Sequence, residues 1–274
     1  VKRLLILSDN SSFMIGVQRR IERLFHKDGR SLVVAIDHGL FFGAMSGISN
    51  FGETASRLIE GAVDAIQLSP AMARFVAEER LRSVPIIARL DTTNLWRDRP
   101  LAEKGVHELV FKPIEAALID AQAVVVYLLL GGEYEGESIE VVSNAVRDAH
   151  ILGLPVVVEP LSVKGMGEPV QNARELLNAS RIAVELGADI LKVDYTGDTD
   201  TFRQLIEACP VPVLLRGGPK KASEDEVLQM ISDAMEAGAR GIVFGRNIWQ
   251  SANMQATLSK YLALVHHKKA LKSS

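Results

Sequence analysis

Short apolar runs rich in β-branched residues alternate along the chain with segments whose apolar positions recur at helical spacing. The runs Ser31–Asp37, Val63–Leu68, Pro85–Leu90, Ala123–Leu130, Pro155–Glu159, Asp189–Asp194, Val211–Arg216 and Arg240–Phe244 predict strands. Between them, Gly52–Glu60, Ser138–Leu152, Asn172–Leu186, Thr199–Ala208 and Glu224–Ala237 predict helices. Strands that are apolar on both sides belong to a parallel sheet covered by helices. Successive βα units in a chain of 274 residues predict an α/β fold, a (β/α)8 TIM barrel. A doubly wound open sheet, built from the same units, is the alternative. Gly61, Gly153, Gly187 and Gly238 stand where helices end and are expected to cap them at positive φ. Ser223 with Glu226 matches a capping box. Arg20 to Lys27 reads as part of an extra helix closing the barrel floor. The expected organisation is one domain, with an N-terminal extension and helix over 1–30, the barrel over 31–265 and a basic tail over 266–274.

One residue breaks the apolar pattern in an informative way. Lys192 sits inside Asp189-Ile190-Leu191-Lys192-Val193-Asp194. Alternation puts Ile190, Lys192 and Asp194 on one side, expected to be the barrel interior. A bare cation there is costly unless it pairs or sheds its proton. A lysine driven toward neutrality is a nucleophile that condenses with carbonyl compounds. A structural lysine paired with a carboxylate is the bland alternative.

Barrel active sites collect where the strands end. Those ends bear Asp37-His38-Gly39, Ser69, Arg89, Asp91, Gly131-Gly132-Glu133, Glu159, Asp194, Arg216-Gly217-Gly218 and Gly245-Arg246-Asn247. Glu159 has the side chain needed to move protons beside an imine; Asp37 could do the same or hold a substrate hydroxyl. The glycines of the last two loops, Gly217, Gly218 and Gly245, let backbone N–H groups approach an anion, and the helix after Gly245 adds its dipole. Arg216 or Arg246 adds a charge-assisted contact. A phosphorylated substrate is the expectation.

Composition narrows the class. Lys and Arg number 31 against 34 Asp and Glu, a net charge of −3, which argues against nucleic acid or an anionic membrane as partner. Cys209 is the only cysteine, so no internal disulfide forms. The longest apolar run, Ala121 to Leu130, is too short to span a bilayer, and the N-terminus does not read as a secretory signal. The expected location is cytoplasmic. Of the six histidines only His38 lies at a strand end, so no metal site is expected. His266-His267 are read as part of a solvated tail. With no nucleotide-binding glycine motif, no cofactor is expected either. Tyr127 and Trp249 read as packing residues, and Asp91–Lys112, which carries Trp96, as a lid or subunit contact.

Four blocks, "DGRSLVVAIDHG", "GADILKVDYTGD", "CPVPVLLRGGPK" and "GARGIVFGRNIWQS", resemble the archaeal-type class I aldolase family, often called DhnA-type. Its members include fructose-bisphosphate aldolases, aminodideoxyheptulosonate synthase and the autoinducer-2 phosphate thiolase. The resemblance runs from about Gly16 to His266. It implies a (β/α)8 barrel, Lys192 as the imine-forming residue, Asp37 at the reacting centre, a phosphate site at strands seven and eight, and a homo-oligomer, often a decamer. Where archaeal members carry a tyrosine in Tyr-Pro-Arg-Gly, this chain has Val158-Glu159-Pro160-Leu161. That segment is similar to tagatose-bisphosphate and sulfo-sugar class I aldolases, in which the glutamate is the acid–base group. The thiolase branch also lacks the tyrosine and relies on the histidine matched here by His38. The expected function is cleavage or formation of a C–C bond in a phosphorylated ketose through a Schiff base, without metal. The alternatives are coenzyme A-dependent thiolysis of a phosphorylated diketone, a transaldolase-like synthase, and a non-catalytic sugar-phosphate sensor.

Overall fold

The strand-forming runs close on themselves. The computed structural model describes residues 14–97, 105–164, 168, 169 and 172–266. The barrel strands are β1 (Ser31–Ala35), β2 (Ala65–Leu68), β3 (Ile86–Arg89), β4 (Ala123–Leu130), β5 (Val156–Lys164), β6 (Ile190–Val193), β7 (Val213–Arg216) and β8 (Gly241–Phe244). All pair in parallel with their sequence neighbours, and β1 pairs with both β2 and β8: Val33 lies opposite Ala65 on one side and Val243 on the other. Closure excludes the open doubly wound sheet. The major helices are α1 (Ile15–Leu24), α2 (Phe51–Glu60), α3 (Glu135–Ile151), α4 (Ala173–Glu185), α5 (Thr199–Ala208), α6 (Glu224–Ala237) and α7 (Met254–Val265). Among the described residues no helix is long and apolar enough to cross a membrane.

Strand alternation divides the apolar residues into two cores. Val34, Ile66, Leu191 and Ile242 face outward and pack with helix residues such as Leu58, Leu205 and Leu258. Val33, Ile87, Val125, Ile190, Leu214 and Val243 fill the interior. The extra N-terminal helix closes this inner core. Val17, Ile21 and Leu24 recur at four and three residues, one face of α1, and Leu24, Ile21 and Phe25 join the interior cluster. Burying a leucine in this way contributes about 1.5–3 kcal/mol. Arg20 and Arg23 pin the helix by donating to Gly153 O (3.1 Å) and Gln122 Oε1 (3.2 Å).

The structure corrects three expectations. β5 does not end at Glu159 but runs to Lys164, with Tyr127 opposite Glu159 and Leu130 opposite Ser162. Beyond Val158 its other edge has no β6 partner, so Pro160, which lacks an N–H, sits in the strand without breaking a ladder on that side. Gly61 has φ −75°, and Ala62 takes the positive φ (58°) instead. Glycine at 61 answers a close approach: a Cβ there would lie 2.3 Å from Leu258 Cδ2 of α7. Finally, His266 is no solvated tail residue. Its ring is 4% exposed and bridges Asp28 (2.8 Å) and Asp64 (2.9 Å), tying the end of α7 to the floor of the barrel. His267 and the lysines after it lie outside the described residues.

Candidate active site

Above the inner apolar core the inward positions turn polar. Ile190, Lys192 and Asp194 share the inner side while Leu191 and Val193 join the outer core. Gln67 on β2, Arg89 on β3, Glu159 on β5 and Arg216 on β7 stand at the same level, with Asp37 just past β1. All but Arg216 are buried, and only Arg216 retains part exposure. Over them opens a cavity of about 540 Å³.

The polar side chains form a closed ring around the lysine. Lys192 Nζ lies 2.9 Å from Glu159 Oε1 and donates to Gln67 Oε1 at 3.2 Å. Gln67 Nε2 donates to Asp37 Oδ2 at 2.6 Å, and Arg89 Nε donates to the same oxygen at 2.9 Å. Arg89 returns to Glu159 Oε1 through Nη2 and gives Nη1 to Asp91 at 3.0 Å. Asp91 is held in turn by His107 Nε2 and by the backbone N–H of Tyr127, both at 2.7 Å. The Arg89 guanidinium lies 4.4 Å from the Tyr127 ring centroid. Arg216 reaches Asp194 at 2.8 Å and Glu159 Oε2 at 3.5 Å, beneath the Trp96 ring.

Burial pushes the Lys192 ammonium toward neutrality. Glu159 and Asp37 oppose this, and the nearby Arg89 and Arg216 add to it. For Asp37, burial favours the acid, but Arg89 and Lys192 outweigh it and hold the carboxyl at about 2. The two groups therefore differ in character: a carboxylate held ionised by its cations and an amine whose charged form burial disfavours. His38 opens the helical turn after β1 and lines the same cavity, so both members of the Asp37-His38 pair reach the site. Burial lowers its pKa to about 4 despite Asp37, leaving the ring neutral. Its ring packs edge-on against Trp249, 5.1 Å between centroids, and presses on Gly245, where a Cβ would lie 2.4 Å from His38 Cε1.

The expected anion loops line the cavity. Gly217, Gly218, Gly245 and Arg246 are all present, with Lys220 and Lys221 beside them. The helix after Gly245 is a turn of four residues, Arg246–Trp249, too short for a substantial dipole. Backbone N–H groups and side-chain cations must supply any grip there. Arg246 Nε is buried without a hydrogen-bond partner. Arg216 is already engaged by Asp194 and Glu159, which makes Lys220, Lys221 and Arg246 the freer cations. Asn247 shapes the loop, donating to Gly217 O (2.9 Å) and accepting from Lys221 N (2.9 Å).

Sequence reading did not single out Gln67 as a site residue, gave Arg89 no role beyond its strand end, and took Tyr127 for packing, although its ring lines the cavity. Trp249 does pack, its Nε1 donating to Ala35 O at 3.0 Å. Within 91–112, Asp91–Thr93 pairs antiparallel with His107–Leu109, and Trp96 hangs over the cavity. Residues 98–104 lie outside the described residues. One group with metal-ligand geometry occurs among the described residues, His26, Asp28 and His266, at the opposite end of the barrel. Its histidine chemistry fits a metal poorly, because both ring nitrogens of His266 face carboxylates and are spent as donors.

The sequence model of the DeoC/LacD family aldolases matches residues 31–251, from β1 to the turn beyond β8. The chain belongs to the DeoC/LacD family of aldolases. An uncharacterized aldolase of Saccharolobus solfataricus is 41% identical over 264 residues, covering 94% of this chain and 96% of the relative. The 3-hydroxy-5-phosphonooxypentane-2,4-dione thiolase of Escherichia coli K12 is 32% identical, covering 92% of this chain and 83% of that protein. Among solved structures, the Schiff base forming fructose-1,6-bisphosphate aldolase superposes with a TM-score of 0.78 at 30% identity, over 91% of this chain and 99% of that one. The chain thus shares its fold with a Schiff base forming aldolase and about a third of its aligned sequence with a thiolase.

Proposed function

We propose that this aldolase works by a class I mechanism on a phosphorylated ketose, with Lys192 as the imine former. The observation that carries the reading is the position of Lys192 Nζ: buried, 2.9 Å from a carboxylate, and opening onto the cavity. The lysine lone pair bonds to the ketone carbon while the carbonyl pair moves to oxygen; the nitrogen gives up a proton and the oxygen takes one, leaving a neutral carbinolamine. A second proton expels that oxygen as water and leaves the iminium. Glu159, in contact with the amine, is placed to deliver these protons. A carboxylate then removes the proton from the hydroxyl on the far carbon of the C–C bond to be cut. The C–O bond becomes a carbonyl, the C–C bond breaks, and its electron pair runs into the iminium to form an enamine. Asp37, held ionised at about 2, suits the task of holding or deprotonating that hydroxyl. Protonation and hydrolysis of the enamine release the second product and restore the lysine. The phosphate is assigned to Gly217, Gly218, Gly245 and Arg246, with Lys220 and Lys221 alongside and Arg216 acting chiefly through Glu159 and Asp194.

A second reading is favoured by His38, neutral and lining the same cavity, together with the relative named a thiolase. There His38 would handle the proton of an acyl transfer to coenzyme A. A panel of ketose phosphates, assayed for aldehyde release with and without coenzyme A, separates the two. The aldolase reading expects release without coenzyme A, a loss of at least about a hundredfold in kcat for Glu159→Gln, and a smaller loss for His38→Ala. Coenzyme A-dependent turnover with the opposite order of sensitivity would overturn it.

A further inference from the structure

Gln67 has no place in either reading. Its side chain is fully buried in the barrel and lies outside the lining of the cavity. It nevertheless bridges two groups that matter, accepting from Lys192 Nζ through Oε1 and donating to Asp37 through Nε2. The direction of that amide is forced by charge. Asp37 is ionised, as its value of about 2 requires, and an ionised carboxylate can only accept. The NH₂ end of Gln67 must face Asp37, which leaves the carbonyl oxygen facing the lysine.

The consequence falls on the amine. A neutral lysine nitrogen carries two hydrogens and one lone pair. Gln67 Oε1 at 3.2 Å and Glu159 Oε1 at 2.9 Å both accept, so they take the two hydrogens. The lone pair is left in the remaining direction, and the open space beside Lys192 is the cavity. We propose that Gln67 is a positioning residue that orients the Lys192 amine, so that its lone pair faces the bound carbonyl. Asp37 and Arg89 complete the device by fixing Gln67 and Glu159 from behind.

This inference rests on Lys192 being the imine former, and the test separates the two claims. Wild-type and variant proteins are mixed with dihydroxyacetone phosphate, quenched with borohydride at increasing times, and digested to quantify label on the Lys192 peptide. Wild type that never labels Lys192 sinks the function proposed above. If wild type labels, Gln67→Met should label about 10–100-fold more slowly at saturating ketose, because a misaimed nucleophile loses rate rather than affinity. Half-saturation should be nearly unchanged. Gln67→Glu supplies a second readout. The new carboxyl meets ionised Asp37 across the 2.6 Å contact, so the two share one proton and the substituted side chain still donates to Asp37 and accepts from the lysine; labelling should recover to within about threefold of wild type, with Glu159, Asp37, Arg89, Arg216 and His38 still facing the amine. Wild-type labelling rates in Gln67→Met, or weakened half-saturation with the rate unchanged, overturn the inference. If the methionine variant does not fold, a wild-type labelling rate in Gln67→Asn, whose amide is one methylene too short to keep both contacts, overturns it instead.

Discussion

Replacing Arg89 by methionine keeps most of the side-chain volume and removes one buried charge that three carboxylates share. Asp37, Asp91 and Glu159 all contact the guanidinium, which is 1% exposed. Holding Asp37 at about 2 rather than 3.8 corresponds to about 2 kcal/mol of preference for the folded, ionised form, with Arg89 the largest favourable influence. Asp91 is lowered as well, against burial, mainly by the same guanidinium. Removing one partner of a buried pair generally costs about 3–5 kcal/mol, because the remaining charge is stranded. Urea unfolding of Arg89→Met at pH 7 should therefore show a loss in that range, a large part of ordinary domain stability. The sign of the pH dependence follows from burial. In the wild type the depressed Asp37 contributes stability present above its unfolded pKa and lost as pH falls toward 2. In the variant, burial without the cation raises Asp37 and Asp91, so both take up protons on mild acidification and the deficit shrinks between pH 7 and pH 5. A loss below about 1 kcal/mol at pH 7, or one equally large at pH 5, would refute the reasoning.

Two further outcomes concern the frame of the barrel. The hydrogen bond to Asp64, helped by Asp28, raises the pKa of His266, so this imidazolium contributes stability fully present below its unfolded pKa and lost as pH rises through the folded value. With Asp28 and Asp64 as its partners and the His26 ring 5.0 Å away, His266→Ala should cost about 1.5–3 kcal/mol at pH 6 and much less at pH 9 in thermal melts; an equal gap at both pH values rules out the charged bridge. Gly241 has φ 139°, and a Cβ there would lie 1.8 Å from Ser31 O. Gly241→Ala should lose at least about 2 kcal/mol in urea, while Gly136→Ala, with nothing within 4 Å, should be neutral or better. Comparable midpoints for the two variants would contradict this packing.

The barrel was legible because its strands are apolar on both sides and its helices keep their spacing, two signals that act within short windows. Lys192 was legible for the same reason: a charge in an apolar run on the inward register. Gln67 in Ala65-Ile66-Gln67-Leu68 and Arg89 in Ile86-Ile87-Ala88-Arg89 carry that signal too, and reading every inward polar residue as a member of one layer would have found them. What sequence could not supply was contact across the barrel. The distance from Gln67 to Lys192 depends on closure and register, as does the sharing of Arg89 among three carboxylates. The strand expected to end at Glu159 runs on through Pro160, because beyond Val158 one edge of β5 has no β6 neighbour that would need the missing N–H. His266 misled because a basic tail is ordinarily solvated, and the carboxylates that fix it come from residues 28 and 64, far away in sequence.

Peptide mapping after borohydride reduction with a bound ketose phosphate bears on the central claim most directly. A stable mass addition on the peptide containing Lys192, absent in Lys192→Met, is the predicted result. Turnover of the ketose phosphate with Lys192 unlabelled, or with the label on another lysine, would contradict the account.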